Sequence, residues 1–262
     1  TPLVIQYIIL SNKWGAVHIA RDFSFLLFTG FNWEGVFLWD DCFLLRQVYT
    51  VGIMKMEVFA MRLYLVRHGQ TDMNKRNMFY GWTDADINET GIQQAEMLRQ
   101  YFRQIPIDAI YSSDLRRAAH TAEIIAAGKD MKVHYDSAFR ELYYGDWENQ
   151  TTEYIEKNYK EELRGWVTDW KDLAMPNGEK FSDFYHRVAA GVDRLVEENR
   201  GKNVLLVAHN GALSTMLCHL TGAGMDGFWR FDSKQGHYSS VLISKKWTTI
   251  ESINHPLCLE EE

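Results

Sequence analysis

Two apolar runs organise the chain, Leu63-Tyr64-Leu65-Val66 and Val204-Leu205-Leu206-Val207-Ala208. Neither alternates apolar with polar residues, so each predicts a strand buried on both faces, as in a central parallel sheet. The first ends in Arg67-His68-Gly69-Gln70-Thr71 and the second in His209. Helical spacing fills the interval. Ile92, Ala95, Leu98 and Phe102 mark one apolar face behind Thr90-Gly91-Ile92-Gln93, which reads as a capping box. Leu115, Ala118, Ala119, Ala122, Ile125 and Ala126 mark a second, capped by Ser112-Ser113, with Arg117 in its first turn. Phe181, Phe184, Val188, Val192, Leu195 and Val196 predict a long helix that Gly201 can stop, and Leu213, Met216, Leu217 and Leu220 predict another after His209.

Shorter apolar stretches at Ile107–Tyr111, Lys132–Tyr135, Tyr238–Ile243 and Thr248–Ile253 predict further strands. Residues 143–176, dense in Trp, Tyr and acidic side chains, predict a helical excursion over the sheet's end. No internal repeat or linker interrupts residues 61–256. They are expected to form one α/β domain, a three-layer sandwich with a mostly parallel central sheet and helices on both faces. Residues 257–262 are a C-terminal tail.

Residues 1–60 differ. They are rich in Phe, Trp, Ile, Leu and Val, with neither helical nor alternating period, and lack the basic start and cleavage site of a targeting signal. Their most apolar stretch, Phe23–Trp39, contains Asn32 and Glu34 and falls short of the roughly 20 residues that span a bilayer. Met54, Met56 and Met61 precede the first strand, so this segment is expected to be a non-catalytic leader upstream of the natural start, with no membrane role.

Charge and cysteine usage narrow the chemistry. A formal net charge of -7 over 262 residues argues against nucleic-acid binding, so any anion site must be a local pocket of cations. Cys42, Cys218 and Cys258 give neither a disulfide framework nor a zinc pattern, which fits a reducing cytoplasm. No metal site is expected from the histidines either: His18, His134, His186, His219 and His255 form no ligand spacing. A monomer and a homodimer fit equally well.

Residues at the carboxyl ends of neighbouring parallel strands share one crevice, so His68 and His209 are expected to converge, with Arg67 beside them and Arg117 joining from the next strand end. Two guanidinium groups around an imidazole suit a phosphoryl group, because their forks match its oxygens with charge-assisted hydrogen bonds. The helix after His209 would add backbone N–H groups, and Asn74 a neutral donor. Glu141, in Phe139-Arg140-Glu141-Leu142-Tyr143-Tyr144-Gly145-Asp146-Trp147-Glu148, is the candidate proton donor. His120, one turn beyond Arg117, reads as a partly buried side chain, and His237 as a residue that can line the crevice.

Arg67-His68-Gly69-Gln70-Thr71 with Asn74, Gly81-Trp82-Thr83-Asp84, Ser112-Ser113-Asp114-Leu115-Arg116-Arg117-Ala118 with Thr121-Ala122, Glu141-Leu142 with Gly145-Asp146-Trp147-Glu148, and Val207-Ala208-His209 resemble, in order and spacing, the histidine phosphatase (phosphoglycerate mutase-like) superfamily. The resemblance covers Met61 to about Ile253. It implies that His68 takes up the phosphoryl group as a phosphohistidine, that Arg67, Arg117 and His209 hold the phosphate, and that Glu141 protonates the leaving alkoxide. Asn74, Thr71, Tyr80, Gly81 and Asn210 complete the implied substrate contacts. No cofactor is implied.

Two departures stand out. Asn210 replaces a usual Gly after the second His, in a turn where Asn tolerates left-handed angles. Lys180 stands where the Pro176-Asn177-Gly178-Glu179 loop commonly ends in Ser. The short core, the Gly-Asp-Trp-Glu loop and Phe228-Trp229-Arg230-Phe231 with Gln235-Gly236 most resemble α-ribazole-5'-phosphate phosphatases of cobalamin nucleotide-loop assembly. Trp147, Trp166, Trp170 and Trp229 can offer flat faces to a benzimidazole. The alternatives are a phosphoglycerate mutase, a broad-specificity sugar or acid phosphatase, and a non-catalytic phosphate-binding module. In each case the partner is a small phosphorylated metabolite.

Overall fold

The computed structural model describes residues 8–11, 17–20 and 60–256. The chain divides into two units, Thr1–Tyr49 and Thr50–Glu262. In the first, strands β1 (Ile8–Ser11) and β2 (Val17–Ala20) pair antiparallel, with Ile8 opposite Ala20. The sequence pattern gave no sign of these strands. Whether the leader is otherwise as expected, and what the tail at 257–262 does, lies outside the described residues.

The second unit runs β3 (Met61–Arg67), α1 (Asp72–Lys75), β4 (Met78–Phe79), α2 (Glu89–Phe102), β5 (Ala109–Ser112), α3 (Arg116–Ala127) and β6 (Val133–Tyr135). It continues through β7 (Gln150–Thr151), α4 (Thr152–Asn158), α5 (Lys160–Thr168), α6 (Phe181–Glu198), β8 (Asn203–Ala208), α7 (Asn210–Thr221), β9 (Tyr238–Ile243) and β10 (Thr248–His255). Six strands form the main sheet in the order β10-β9-β3-β8-β5-β6. β3, β8, β5 and β6 are parallel, and β9 runs antiparallel to both its neighbours. This is the mostly parallel α/β sandwich expected, with helices on both faces.

Alternation along the two central strands builds both cores. Leu63, Leu65, Val204, Leu206 and Ala208 pack on one face with Phe184, Val188 and Val192 of α6 and Leu213, Met216 and Leu217 of α7. Tyr64, Val66, Leu205 and Val207 face the other way, onto Leu98 and Phe102 of α2 and Ala118, Ala122 and Ile125 of α3. Each such fully buried Leu or Val contributes about 1.5–3 kcal/mol, and a one-residue slip would exchange the two sets, so the register is fixed. α2 and α3 thus leave β3 and β5 toward one face while α7 leaves β8 toward the other, which opens a crevice at the strands' carboxyl ends.

Local boundaries differ from expectation for identifiable reasons. Asn88, not Thr90, caps α2: its extended backbone lets the side chain accept from Gly91 N at 3.0 Å, and Thr90 already lies inside the helix. Ser112 and Ser113 do not cap α3, whose N-cap is Leu115 without a side-chain bond. α6 ends at Glu198, before Gly201, because the Asn199 amide turns back to Leu195 O at 2.9 Å and reaches the Tyr111 hydroxyl at 3.0 Å. The excursion at 143–176 is two short helices, α4 and α5, broken at Tyr159, preceded by a 3-10 turn at Gly145–Trp147 and by β7, which pairs with β4.

Candidate active site

Parallel pairing sets Arg67 against Ala208 and Ser112 against Val207, so the residues that follow each strand emerge side by side. His68 N donates to Ala208 O at 2.9 Å, and Ser113 N to Val207 O at 3.0 Å. The rings of His68 and His209 meet with centroids 5.2 Å apart. Both side chains are buried, at 3% and 1% exposure.

Hydrogen bonding settles each ring's tautomer. His68 Nδ1 lies 2.7 Å from Gly69 O, and a carbonyl only accepts, so Nδ1 carries the proton and Nε2 keeps a lone pair. His209 Nδ1 accepts from Arg117 Nε at 3.1 Å, so its proton sits on Nε2 and is donated to Ser113 Oγ at 2.9 Å. Burial, then the positive charges of Arg117 and Arg67, hold His68 well below the usual imidazole range. Burial and Arg117 do the same to His209. Ser113 Oγ thus bonds His209 at 2.9 Å and has only a long contact, 3.4 Å, from Leu115 N at the start of α3.

Arg117 is 1% exposed and spans the site. Besides His209, it donates from Nη1 to Thr83 O at 3.0 Å and from Nη2 to Gly81 O at 2.6 Å, and its guanidinium lies 4.7 Å from the Tyr80 ring centroid. Burial lowers its pKa, yet a guanidinium starting at 12.5 remains the cation of the pocket. Arg67 Nη1 donates to Ser233 O at 2.8 Å, while its buried Nε has no hydrogen-bond partner among the described residues. A buried, unpartnered guanidinium N–H is costly unless an anion meets it.

Glu141 hangs at the edge of this group, 8% exposed, its Oε2 accepting from Gly211 N at 2.9 Å and its Oε1 from Leu142 N at 3.0 Å. The close approach depends on Gly211, where an added Cβ would stand 2.4 Å from Glu141 Oε1. Of the α7 N-terminal N–H groups expected to serve a phosphate, that of Gly211 is thus spent on Glu141. Nor is there a left-handed turn at Asn210, which starts α7 with ordinary helical backbone and accepts from Ser233 N through Oδ1 at 2.7 Å.

A cavity of about 530 Å³ opens over these groups. Its polar lining is Arg67, His68, Asn74, Arg117, Glu141, Asn210 and Gln235, and its aromatic lining Phe79, Tyr80, Tyr144, Trp166, Phe181, Phe184, Phe228 and Trp229. Asn74 Oδ1 accepts from Thr71 N at 3.1 Å and Gln235 Nε2 at 2.7 Å, so its NH2 is the group it can offer an anion. Thr71, Gly81 and His209 do not line the cavity: His209, expected to hold the phosphate directly, has both ring nitrogens engaged by Arg117 and Ser113 and reaches the pocket through Arg117. Thr71 is buried beneath the cavity, bonding the Tyr80 hydroxyl at 2.8 Å, and the Gly81 N–H is taken by Glu148 Oε1 at 2.8 Å.

The remaining sequence candidates separate in the same way. Trp166 and Trp229 line the cavity, whereas Trp147 is fully buried core and Trp170 packs edge-on against Phe181 at 4.5 Å. His120 bonds Asp86 at 2.9 Å and is half-buried, and His237 turns to Gln235 O at 3.0 Å, off the cavity wall. Ser113 was expected only to cap α3, and Gln235 and Glu148 had no expected role. Gln235 and Glu148 stood within recognisable blocks, but nothing in their spacing shows what they bond.

Fold and site together define an α/β protein with a neutral histidine in an arginine-lined pocket. Residues 63–256 match the histidine phosphatase superfamily (branch 1), and the chain belongs to that family. It is 34% identical over 194 residues to the adenosylcobalamin/alpha-ribazole phosphatase of Salmonella typhimurium, covering 74% of this chain and 96% of that one. It is 29% identical to phosphoserine phosphatase 1 of Hydrogenobacter thermophilus, covering 74% and 92%. The alpha-ribazole phosphatase structure from Shigella flexneri superimposes with a TM-score of 0.72 at 31% identity, covering 77% of this chain and all of that one. These likenesses support phosphatase activity. Among the described residues no helix is long and apolar enough to cross a membrane.

Proposed function

We propose that the protein is a phosphomonoesterase that works through a phosphohistidine on His68 and hydrolyses α-ribazole 5'-phosphate to α-ribazole and phosphate. The observation that carries the mechanism is the Nδ1 bond of His68 to Gly69 O, which leaves the lone pair on Nε2 in a residue that shares the cavity wall with Arg67 and Arg117. Nε2 attacks phosphorus, the ester P–O bond breaks, and the departing alkoxide takes a proton from Glu141. Water then attacks the phosphohistidine, gives its proton to Glu141, and the N–P bond breaks with its electron pair returning to Nε2. Arg67 and Arg117 are fixed before substrate arrives, so the charge of each transition state meets oriented donors at little reorganisation cost.

Two features support the substrate. Relatives covered over nearly their full length are named alpha-ribazole phosphatases, and the cavity lining includes aromatic faces, among them Trp166 and Trp229, suited to a flat base. Brief reaction with radiolabelled substrate followed by denaturation should leave an alkali-stable, acid-labile label on the wild type and none on His68→Asn. Turnover efficiency on α-ribazole 5'-phosphate should exceed that on phosphoserine, sugar phosphates and 3-phosphoglycerate supplied with 2,3-bisphosphoglycerate by at least about tenfold. Equal efficiency on phosphoserine would overturn the substrate, and a labelled His68→Asn protein the mechanism.

A further inference from the structure

Glu148 follows the 3-10 turn at Gly145–Trp147, and its carboxylate gathers a set of backbone donors. Oε1 accepts from Gly81 N at 2.8 Å, Trp82 N at 2.9 Å and Tyr144 N at 3.2 Å. Oε2 accepts from Thr83 N at 3.0 Å and from the Thr83 hydroxyl at 2.5 Å. Three consecutive N–H groups, those of residues 81–83, thus converge on one carboxylate, as in an anion nest. The carbonyls of Gly81 and Thr83 turn the other way and accept from Arg117.

One peptide group joins the two charges directly. The amide between Gly81 and Trp82 gives its N–H to Glu148 and its C=O to Arg117 Nη2 at 2.6 Å. Hydrogen bonds in series through one amide polarise each other, so the carboxylate strengthens the carbonyl that grips the guanidinium. A carboxylate in contact with Arg117 would neutralise it and compete with a phosphate. Through the intervening peptide, Glu148 orients Arg117 without pairing with it. Arg117 has five N–H bonds, and three go to His209, Thr83 and Gly81, which leaves two for a ligand. The direction of those two is set by where the two carbonyls stand.

Room for the strap is limited on its other side. A Cβ on Gly81 would fall 1.7 Å from Leu142 O, so the loop lies directly against the segment that carries Glu141. Trp82 Nε1 also donates to Glu141 O at 2.9 Å.

We infer that Glu148 is a positioning residue: through the Gly81–Thr83 backbone it aims Arg117 at the phosphate, and it never touches substrate itself. The inference rests on Arg117 binding the phosphate, as proposed above. The test is a double-mutant cycle on p-nitrophenyl phosphate, with inhibition by inorganic phosphate read beside kcat and KM for wild type, Glu148→Gln, Arg117→Ala and the double variant. In Glu148→Gln an amide NH2 opposes a backbone N–H, so the strap loosens. The phosphate inhibition constant is expected to rise roughly tenfold or more, the scale of one misplaced charge-assisted hydrogen bond. Adding Arg117→Ala to Glu148→Gln should then cost far less than it costs the wild type.

Losses that multiply in the double variant would mark Glu148 as merely structural and overturn the inference while leaving the reading of Arg117 intact. Unchanged phosphate inhibition in Arg117→Ala would overturn that reading and the inference with it. If Glu148→Gln does not fold, Glu148→Asp, which keeps the charge and withdraws the oxygens, is held to the same outcomes.

Discussion

Arg117 Nε donates to His209 Nδ1 at 3.1 Å, and His209 passes its own proton to Ser113 Oγ at 2.9 Å. The chain of donors has one direction, from a permanent cation to a hydroxyl, so His209 is built as a neutral ring braced on both nitrogens. The consequence concerns the shape of the cation as much as its charge. A lysine at 117 keeps a positive charge but concentrates it on one nitrogen, which cannot meet His209, Gly81 O and Thr83 O together and still face a phosphate. Arg117→Lys is therefore expected to lower kcat/KM for a phosphomonoester by on the order of a hundredfold or more, with Arg117→Ala no more than modestly worse. Steady-state kinetics on both variants check this. A lysine variant within about threefold of wild type would show that charge alone suffices.

Glu141 is held by Gly211 N and Leu142 N, one on each oxygen. If its task is to protonate the departing oxygen, its worth must depend on how badly that oxygen needs a proton. An alkoxide leaves poorly without one, whereas p-nitrophenolate leaves readily. Glu141→Gln is expected to slow hydrolysis of an alkyl phosphate by about a hundredfold to ten-thousandfold, and p-nitrophenyl phosphate far less. The two substrates should be compared on the same preparation. Equal losses on both would assign Glu141 to packing or binding and remove it as the acid.

The difference between His68 and Glu148 shows what the sequence makes legible. His68 and His209 close apolar runs, and buried parallel strands have few possible registers, so the convergence of the two rings follows from pattern alone. Arg117 was readable because the spacing of α3 fixes its place in the first turn of a helix at a strand end. Glu148 acts on backbone N–H groups, which every residue except proline carries, so nothing in the types of residues 81–83 announces a carboxylate partner. The caps failed for the same reason. Thr90 and Ser113 have the right side chains for capping, but Asn88 held the right backbone angles and Ser113 had a stronger claim from His209. Of the four tryptophans offered as base-stacking faces, only Trp166 and Trp229 line the cavity, because α5 and the segment after α7 set their outlook. Periodicity does not reach across those loops.

The burial that keeps both histidines neutral also sets a pH dependence on stability. In the unfolded chain each imidazole titrates near its ordinary value of 6.5, whereas in the folded protein burial, reinforced by Arg117 and Arg67, holds both well below it. A group whose folded pKa is depressed in this way binds its proton more readily when unfolded. As pH falls below about 6.5 the unfolded state takes up protons that the folded state refuses, so stability is complete above that value and declines beneath it. Each histidine adds a slope of up to about 1.4 kcal/mol per pH unit, continuing until its folded pKa is reached. Urea unfolding followed from about pH 7.5 down to about pH 5.5 is expected to show this decline, and His209→Gln, which removes one titrating ring, should flatten it by close to one proton's worth. A His209→Gln protein with the wild-type slope over that range would mean that His209 accepts its proton in the folded state, against the donor arrangement of Arg117 and Ser113.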